Sequence, residues 1–374
     1  MARAPAVMAD AEALPEADRL EGFLHPRETA AVFGHHGAEQ VMAEALQSSK
    51  LHHAWLITGP EGIGKATFAY RVARAALARP DERGLFGGGL DVDPTTAAYR
   101  QVTSLSHPGL VVIRRAYDQK AKRVSASISV DEVRRLKAFL ALSAEEGGRR
   151  VVIVDSADEM NLNAANALLK SLEEPPPRTI FLIVSSSPGR LLATIRSRCR
   201  TLPLAPLTHA DLQRATQAAL GAAGKSEIAD AEFVALEPLA SGSVRRLLAL
   251  QEGGGIALQA KIDKVFASLP AGDARAAHAL SDELAPAAQE QKFALFYELF
   301  LGHLQRLVRV EATGQGTKAE LSVANRVIGP ARLATFASLW ETLARDKADA
   351  LALNSDRKAL ILAAVSRLEA ASRS

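Results

Sequence analysis

The sequence predicts an α/β domain built on a parallel sheet, followed by an all-helical remainder. Three observations carry that expectation. Four short, almost wholly apolar runs, at 54–57, 110–113, 151–154 and 179–184, have the length and composition of strands buried on both faces. Helical stretches separate most of them, and strand alternating with helix is the pattern of a parallel sheet covered by helices. After Pro203 and Pro206 such runs cease, and the chain reads as helix almost to its end.

The elements follow in order. Residues 1–25 are acidic (Asp10, Glu12, Glu16, Asp18, Glu21) and broken by proline, so they read as a loose tail rather than a signal or transit peptide. A helix is expected over 28–46, and another over 68–78 behind the first strand. The stretch 79–108, with Gly87-Gly88-Gly89, Asp91 and Asp93, lacks periodicity and reads as a long surface loop. A helix over 130–142 puts Val130, Val133, Leu136 and Leu140 on one face, with Ser129 and Glu132 at capping-box spacing. One over 164–172 is stopped by Pro175-Pro176-Pro177. The α/β domain is therefore placed at 26–205. Residues 206–255 read as short Ala-rich helices punctuated by Gly221, Gly224 and Gly242, with Gly253-Gly254-Gly255 as a linker. Residues 256–374 read as a bundle whose core faces are Phe293, Phe296, Phe300, Leu304, Leu307 and Leu333, Phe336, Trp340, Leu343.

Composition narrows the function. Of 374 residues, 48% are hydrophobic and 23% charged, ordinary for a globular chain of two or three domains. Aromatics at 5% leave the core to Ala, Leu and Val, which favours helix over a β-sandwich. No apolar run approaches the roughly 18–20 residues of a membrane span. A single Cys199 allows neither an internal disulfide nor a Cys-rich zinc site, and the reading is cytoplasmic. A net charge of +3 is too small to argue nucleic-acid binding by itself.

The chemistry lies in two stretches. Gly59-Pro-Glu-Gly62-Ile-Gly64-Lys65-Ala66 fits the phosphate-binding pattern G-x-x-x-x-G-K, directly after a strand and before a helix. Its glycines let backbone N–H groups curl around phosphate oxygens, and Lys65 supplies a point charge. Ala66 stands where a Ser or Thr hydroxyl would ligate Mg²⁺, and Thr67, about 100° further around the helix, is a poor substitute. Val151-Val-Ile-Val-Asp155 is an apolar strand ending in the carboxylate that organises Mg²⁺, but Ser156 stands where hydrolysing ATPases usually carry Glu. Two parts of a hydrolysis site are missing at two independent places. No His/Cys/carboxylate spacing reads as a metal site, and no Ser-His-Asp or paired-carboxylate arrangement is defensible.

Several motifs together resemble one family. Asn166-Ala-Leu-Leu-Lys170-Ser-Leu-Glu173-Glu174-Pro175 is similar to the signature helix of bacterial DNA polymerase III clamp-loader subunits. Ser197-Arg198-Cys199 resembles their SRC motif, His53-Ala-Trp-Leu with the P-loop their opening strand, and Gly242-Ser-Val-Arg245 their second sensor. Leu353-Asn354 before a final helix is more weakly similar to their collar. The degenerate site, and Asp155-Ser-Ala-Asp158 where a motor subunit has Asp-Glu, point to the non-motor delta-prime type.

The resemblance implies an AAA+ P-loop domain with a five-stranded sheet, a small helical lid at 206–255 and a helical collar at 256–374. It implies a hetero-pentameric ring with gamma/tau and delta subunits, which loads a sliding clamp onto primed DNA through backbone contacts. Arg198 is then an arginine finger acting in trans on a neighbour's ATP. Gly59, Gly62, Gly64, Lys65, Thr67, Asp155, Ser186 (beside Ser185) and Arg245 form a degenerate nucleotide site, where ATP and Mg²⁺ remain open as ligands. Arg134 and Lys170 are DNA-contact candidates, and the basic cluster Arg114, Arg115, Lys120, Lys122, Arg123 is a further one. Relatives with a zinc-binding Cys quartet differ here, since 79–108 holds no Cys, so no zinc is expected. Any DNA-directed DNA polymerase activity belongs to the holoenzyme. The rival readings are a working gamma/tau-like ATPase and a scaffold with a vestigial nucleotide fold.

Overall fold

The computed structural model describes residues 16–48, 51–82, 89–120, 123–141, 148–353 and 356–373. The chain forms two compact units: one runs up to Ala229 and includes Ser241–Arg245, and the other comprises Asp230–Ala240 and Arg246–Ser374.

The first unit holds strands β1 (Ala54–Thr58), β2 (Leu110–Ile113), β3 (Tyr117–Asp118), β4 (Arg123–Val124), β5 (Arg150–Val154), β6 (Thr179–Ser185) and β7 (Arg200–Pro203). Five of them make one sheet in the order β2-β5-β6-β1-β7, every pair parallel, while β3 and β4 form a small antiparallel hairpin. In the register, Ile57 of β1 faces Val184 of β6 and Leu202 of β7. Side chains alternate between two cores, as the strand period of two requires. Trp55, Ile57, Val151, Ile153, Leu182 and Val184 pack with Phe68 and Val72 on one face. Leu56, Val152, Val154, Phe181 and Ile183 pack with Leu136, Leu168 and Leu172 on the other. Each such fully buried side chain contributes about 1.5–3 kcal/mol by leaving water. The domain is thus an α/β parallel sheet flanked by helices.

The fifth strand escaped the search for apolar runs because it is an edge. In β7 only Leu202 is buried, and Pro203, which cannot donate to a ladder, closes it. Other boundaries shift for local reasons. The helix expected over 28–46 is confined to His36–Gln47, because Gly34 adopts φ +72° where a Cβ would lie 2.7 Å from Leu207 Cδ2. The signature helix runs Leu162–Glu173, its start capped by Asn161, whose side chain accepts from Ala164 N–H. The stretch expected as a loop over 79–108 contains a 3-10 turn, Pro80–Glu82, and a helix, Ala97–Thr103. Glu82 accepts hydrogen bonds from Ala97 N–H and Ala98 N–H, and Thr96 accepts from Tyr99 N–H, so this helix is capped twice over. Gly87 and Gly88 lie outside the described residues.

The second unit is all helical: Asp230–Ala240, Gly255–Ala267, Ala274–Leu284, Glu290–Thr313, Lys318–Val327, Gly329–Leu353 and Arg357–Arg373. Phe293, Phe296, Phe300, Leu304 and Leu307 are all buried, and Phe266 packs on Phe300 with ring centres 5.4 Å apart. Of the other expected face, Phe336 and Leu343 are buried, whereas Leu333 and Trp340 are half-buried. Gly253–Gly255 differs from the expected linker. A Cβ on Gly253 would come within 2.6 Å of Leu295 Cδ2, and one on Gly255 within 2.5 Å of Leu250 Cδ2, so these glycines permit close packing inside this unit. Asn354, part of the collar resemblance, lies outside the described residues. No helix among the described residues is long and apolar enough to cross a membrane.

Candidate functional site

The P-loop joins β1 to the helix Lys65–Leu77. Gly59 (φ +144°) and Gly62 (φ +75°) hold backbone conformations that side chains rarely adopt. A Cβ on Gly59 would lie 2.4 Å from Leu204 O, and one on Gly62 2.3 Å from Ser243 Oγ. Gly64 (φ +102°) caps the helix, which begins on Lys65 rather than at Phe68. Lys65 is 5% exposed, and its Nζ donates to Pro60 O (2.5 Å) and Ser186 Oγ (2.8 Å). Burial pushes its pKa down to about 8, against the pull of Glu61, Asp155 and Asp158. Asp158 Oδ1 accepts from Ser186 N–H at 3.1 Å.

The structure therefore brings Lys65, Asp155, Ser186 and the glycines together as the motifs imply. Arg245 joins them: its N–H donates to Gly62 O (3.4 Å), and its Nε lies 3.8 Å from Glu61 Oε1. Ser185, beside Ser186, is fully buried. Ala66 presents a methyl group, and Thr67 is half-buried one position further round.

Residues 16–25, expected to be loose, are instead built into this site. Asp18 lies close enough to Asp155 for their charges to act on one another. Burial and the Asp18 charge raise the Asp155 pKa, whereas bonds from His25 and the charge of Arg114 override burial and lower that of Asp18. Arg114, at the end of β2, pairs with Asp18 Oδ1 (2.9 Å) and with Glu16. His25 Nδ1 accepts from Arg27 N–H, and Nε2 lies 2.9 Å from both Asp18 Oδ2 and Arg114 Nη1. His25 is fully buried, its ring edge-on to Tyr70 with centroids 5.9 Å apart. Arg245 Nη1 donates to Asp18 O at 3.1 Å. His35 Nε2, against Ile63 O at 2.8 Å, buttresses the loop from the other side.

The sequence reading missed Glu16, Asp18, His25, His35 and Arg114 as parts of the site. The acidic run and Arg114 were visible, but their pairing across about 96 residues is a tertiary fact. The basic cluster also resolves differently. Arg114 faces inward, Arg115 pairs with Glu159 at 2.7 Å, Lys120 and Arg123 are exposed, and Lys122 lies outside the described residues.

These residues do not fit Mg·ATP. The hydroxyl that would ligate the metal is absent at Ala66, and the Arg114–Asp18 ion pair stands at the strand end beside Asp155. Among the described residues, no group of three or more His, Cys, Asp or Glu side chains is arranged to hold a metal ion.

Arg198 lies elsewhere in its contacts. It follows the short helix Ala193–Arg196, with Nη1 donating to Thr194 O (3.0 Å) and Nη2 paired with Glu173 Oε1 (2.8 Å). Its side chain remains 36% exposed. Burial pushes the neighbouring Cys199 thiol up to about 11, which makes it a poor nucleophile. Lys170 is exposed on the signature helix, and Arg134, paired with Asp131 at 2.7 Å, is 66% exposed on Val130–Ala141. These two helices pack against each other.

Comparison with known proteins gives the frame for these observations. Residues 34–208 match the family model described as DNA polymerase III, delta subunit. DNA polymerase III subunit delta' of Pseudomonas aeruginosa is 42% identical over 148 residues, 39% of this chain and 41% of that one. The subunit delta' of Escherichia coli is 34% identical over 165 residues, 44% of this chain and 46% of that one. DNA polymerase III subunit tau of Bacillus subtilis is 28% identical over 238 residues, 63% of this chain and 37% of that one. The chain thus spans less than half the length of these relatives. Within those bounds, the P-loop unit of this chain is similar to that of the bacterial DNA polymerase III delta-prime subunits.

Proposed function

We propose that this chain is a non-motor subunit of a replicative clamp loader, in a ring with gamma/tau-type and delta-type subunits that places a sliding clamp on primed DNA. The observation that carries this reading is the pair of losses, at Ala66 in a loop that otherwise keeps the P-loop geometry and at Ser156 beyond the end of β5. On this reading the first unit is the AAA+ domain, and helices beyond 206 supply the lid and the collar.

Arg198 then acts in trans as an arginine finger on a neighbour's γ-phosphate. Its support is a guanidinium held at the end of a short helix by a carbonyl and a carboxylate, yet partly open to solvent. A planar, permanently charged fork suits phosphate oxygens. Lys170 and Arg134, exposed on adjoining helices, would meet the DNA backbone without reading bases.

The test is Arg198→Ala in the reconstituted ring. Trans-acting fingers are worth about 10³–10⁵ in rate at one site. ATP turnover at the adjoining site should collapse while size-exclusion shows the ring intact. Unchanged turnover would favour the scaffold. Steady ATP hydrolysis by the isolated chain, lost on Lys65→Ala, would favour a motor subunit and sink this reading.

A further inference from the structure

We propose that residues 16–25 form an internal strap that closes the P-loop site against Mg·nucleotide, with the Asp18 backbone carbonyl holding Arg245 and its carboxylate holding Arg114 at the strand end beside Asp155. The strap engages two cations at the site. The Asp18 backbone carbonyl takes the Arg245 guanidinium, at the second-sensor position. Glu16 and Asp18 together neutralise Arg114, the cation at the strand end next to Asp155.

This is a built arrangement and not a segment passing over the surface. Phe23 is 6% exposed, with Lys225 Nζ 4.1 Å from its ring centre. His25 is fully buried. Gly22 turns at φ +77°, and the Phe23 N–H donates to Leu20 O. Downstream the segment is pinned again, by Arg74 donating to Arg27 O and Thr29 O, and by Arg27 Nε donating to Thr103 O. Burying the Asp18 carboxylate is unfavourable unless an opposing cation compensates, and Arg114 stands where it does so. A segment free to lie anywhere would not seat its carboxylate on a largely buried guanidinium. The glycine cradle of Gly59–Lys65 keeps its positive-φ turns.

A site whose open form is a minority of the population loses apparent affinity by that fraction. Loosening the strap in the full chain, by Glu16→Ala, Asp18→Ala and Phe23→Ala together, should therefore tighten binding of fluorescent ADP with Mg²⁺ by about tenfold or more. Adding Lys65→Met to that variant should abolish the gain, which places it at the P-loop. Equal binding by the parent and the folded, loosened variant would overturn the proposal. So would a gain that survives Lys65→Met. Should the variant fail to fold, hydrogen exchange on the parent decides. Amides of 17–25 should be protected, and saturating Mg·ADP should leave them so. Exchange of these amides at the rate of an unstructured peptide would overturn the strap. None of these measurements depends on assembly of a ring, so they fail or succeed apart from the clamp-loader reading.

Discussion

Arg114→Met isolates the charge at the centre of the strap network, because methionine keeps much of the apolar stem. The guanidinium is 21% exposed and pairs with Asp18 and Glu16, with His25 Nε2 at 2.9 Å. Burial alone would lower its pKa, but the charge of Asp18 and the bond to Glu16 raise it, so both acids favour its charged form. Removing one partner of a buried pair costs about 3–5 kcal/mol, because the other charge is left uncompensated. Water at the exposed fifth of the side chain reduces that to about 2–3 kcal/mol. With a urea slope of about 2–3 kcal/mol/M, the midpoint should fall by about 1 M. Trp55, fully buried in β1, reports the first unit once Trp340→Phe has silenced the other tryptophan in both proteins. Arg134→Met is the control, since its ion pair is exposed on both sides and worth less than about 0.5 kcal/mol. If Arg114→Met moved the midpoint no further than Arg134→Met, the buried network would not hold the segment in place.

Two further substitutions probe the same cluster. Tyr70 is fully buried, its hydroxyl has no partner among the described residues, and burial together with Asp18 and Asp155 pushes its pKa up. Tyr70→Phe should therefore change urea stability by less than about 0.5 kcal/mol, and a loss above about 1.5 kcal/mol would mean that the hydroxyl is bonded after all. Burial acts to raise the Glu16 pKa, but hydrogen bonds from Arg27 and Arg114 prevail and hold it at about 2. A lowered folded pKa gives stability that is present above the ordinary value of 4.5 and is lost as pH falls toward about 2. Glu16→Gln should thus be less stable than the parent above pH 5, with the two curves converging near pH 2, whereas parallel curves would refute the pairing.

Much of the fold could be read from residues because its signals are local. Wholly apolar runs such as Val151-Val-Ile-Val can only be strands covered on both faces, and the glycines of the P-loop mark a turn that side chains would obstruct. β7 was hidden because an edge strand buries one side chain in four. The helix Ala97–Thr103 was hidden because its caps come partly from Glu82, fifteen residues upstream of Ala97.

The site divides in the same way. The sequence by itself determined that the phosphate cradle persists and that Ala66 and Ser156 lack the metal-binding and water-activating groups, since motif chemistry resides in residue type and short spacing. Only the tertiary structure decided what Asp155, Arg114 and Arg245 do. An acidic stretch before the first strand looks solvated in one dimension, because its partners lie about 90 to 230 residues away. Burial turns those charges into a closed, mutually compensating network, and burial is a property of the fold rather than of any segment of the chain.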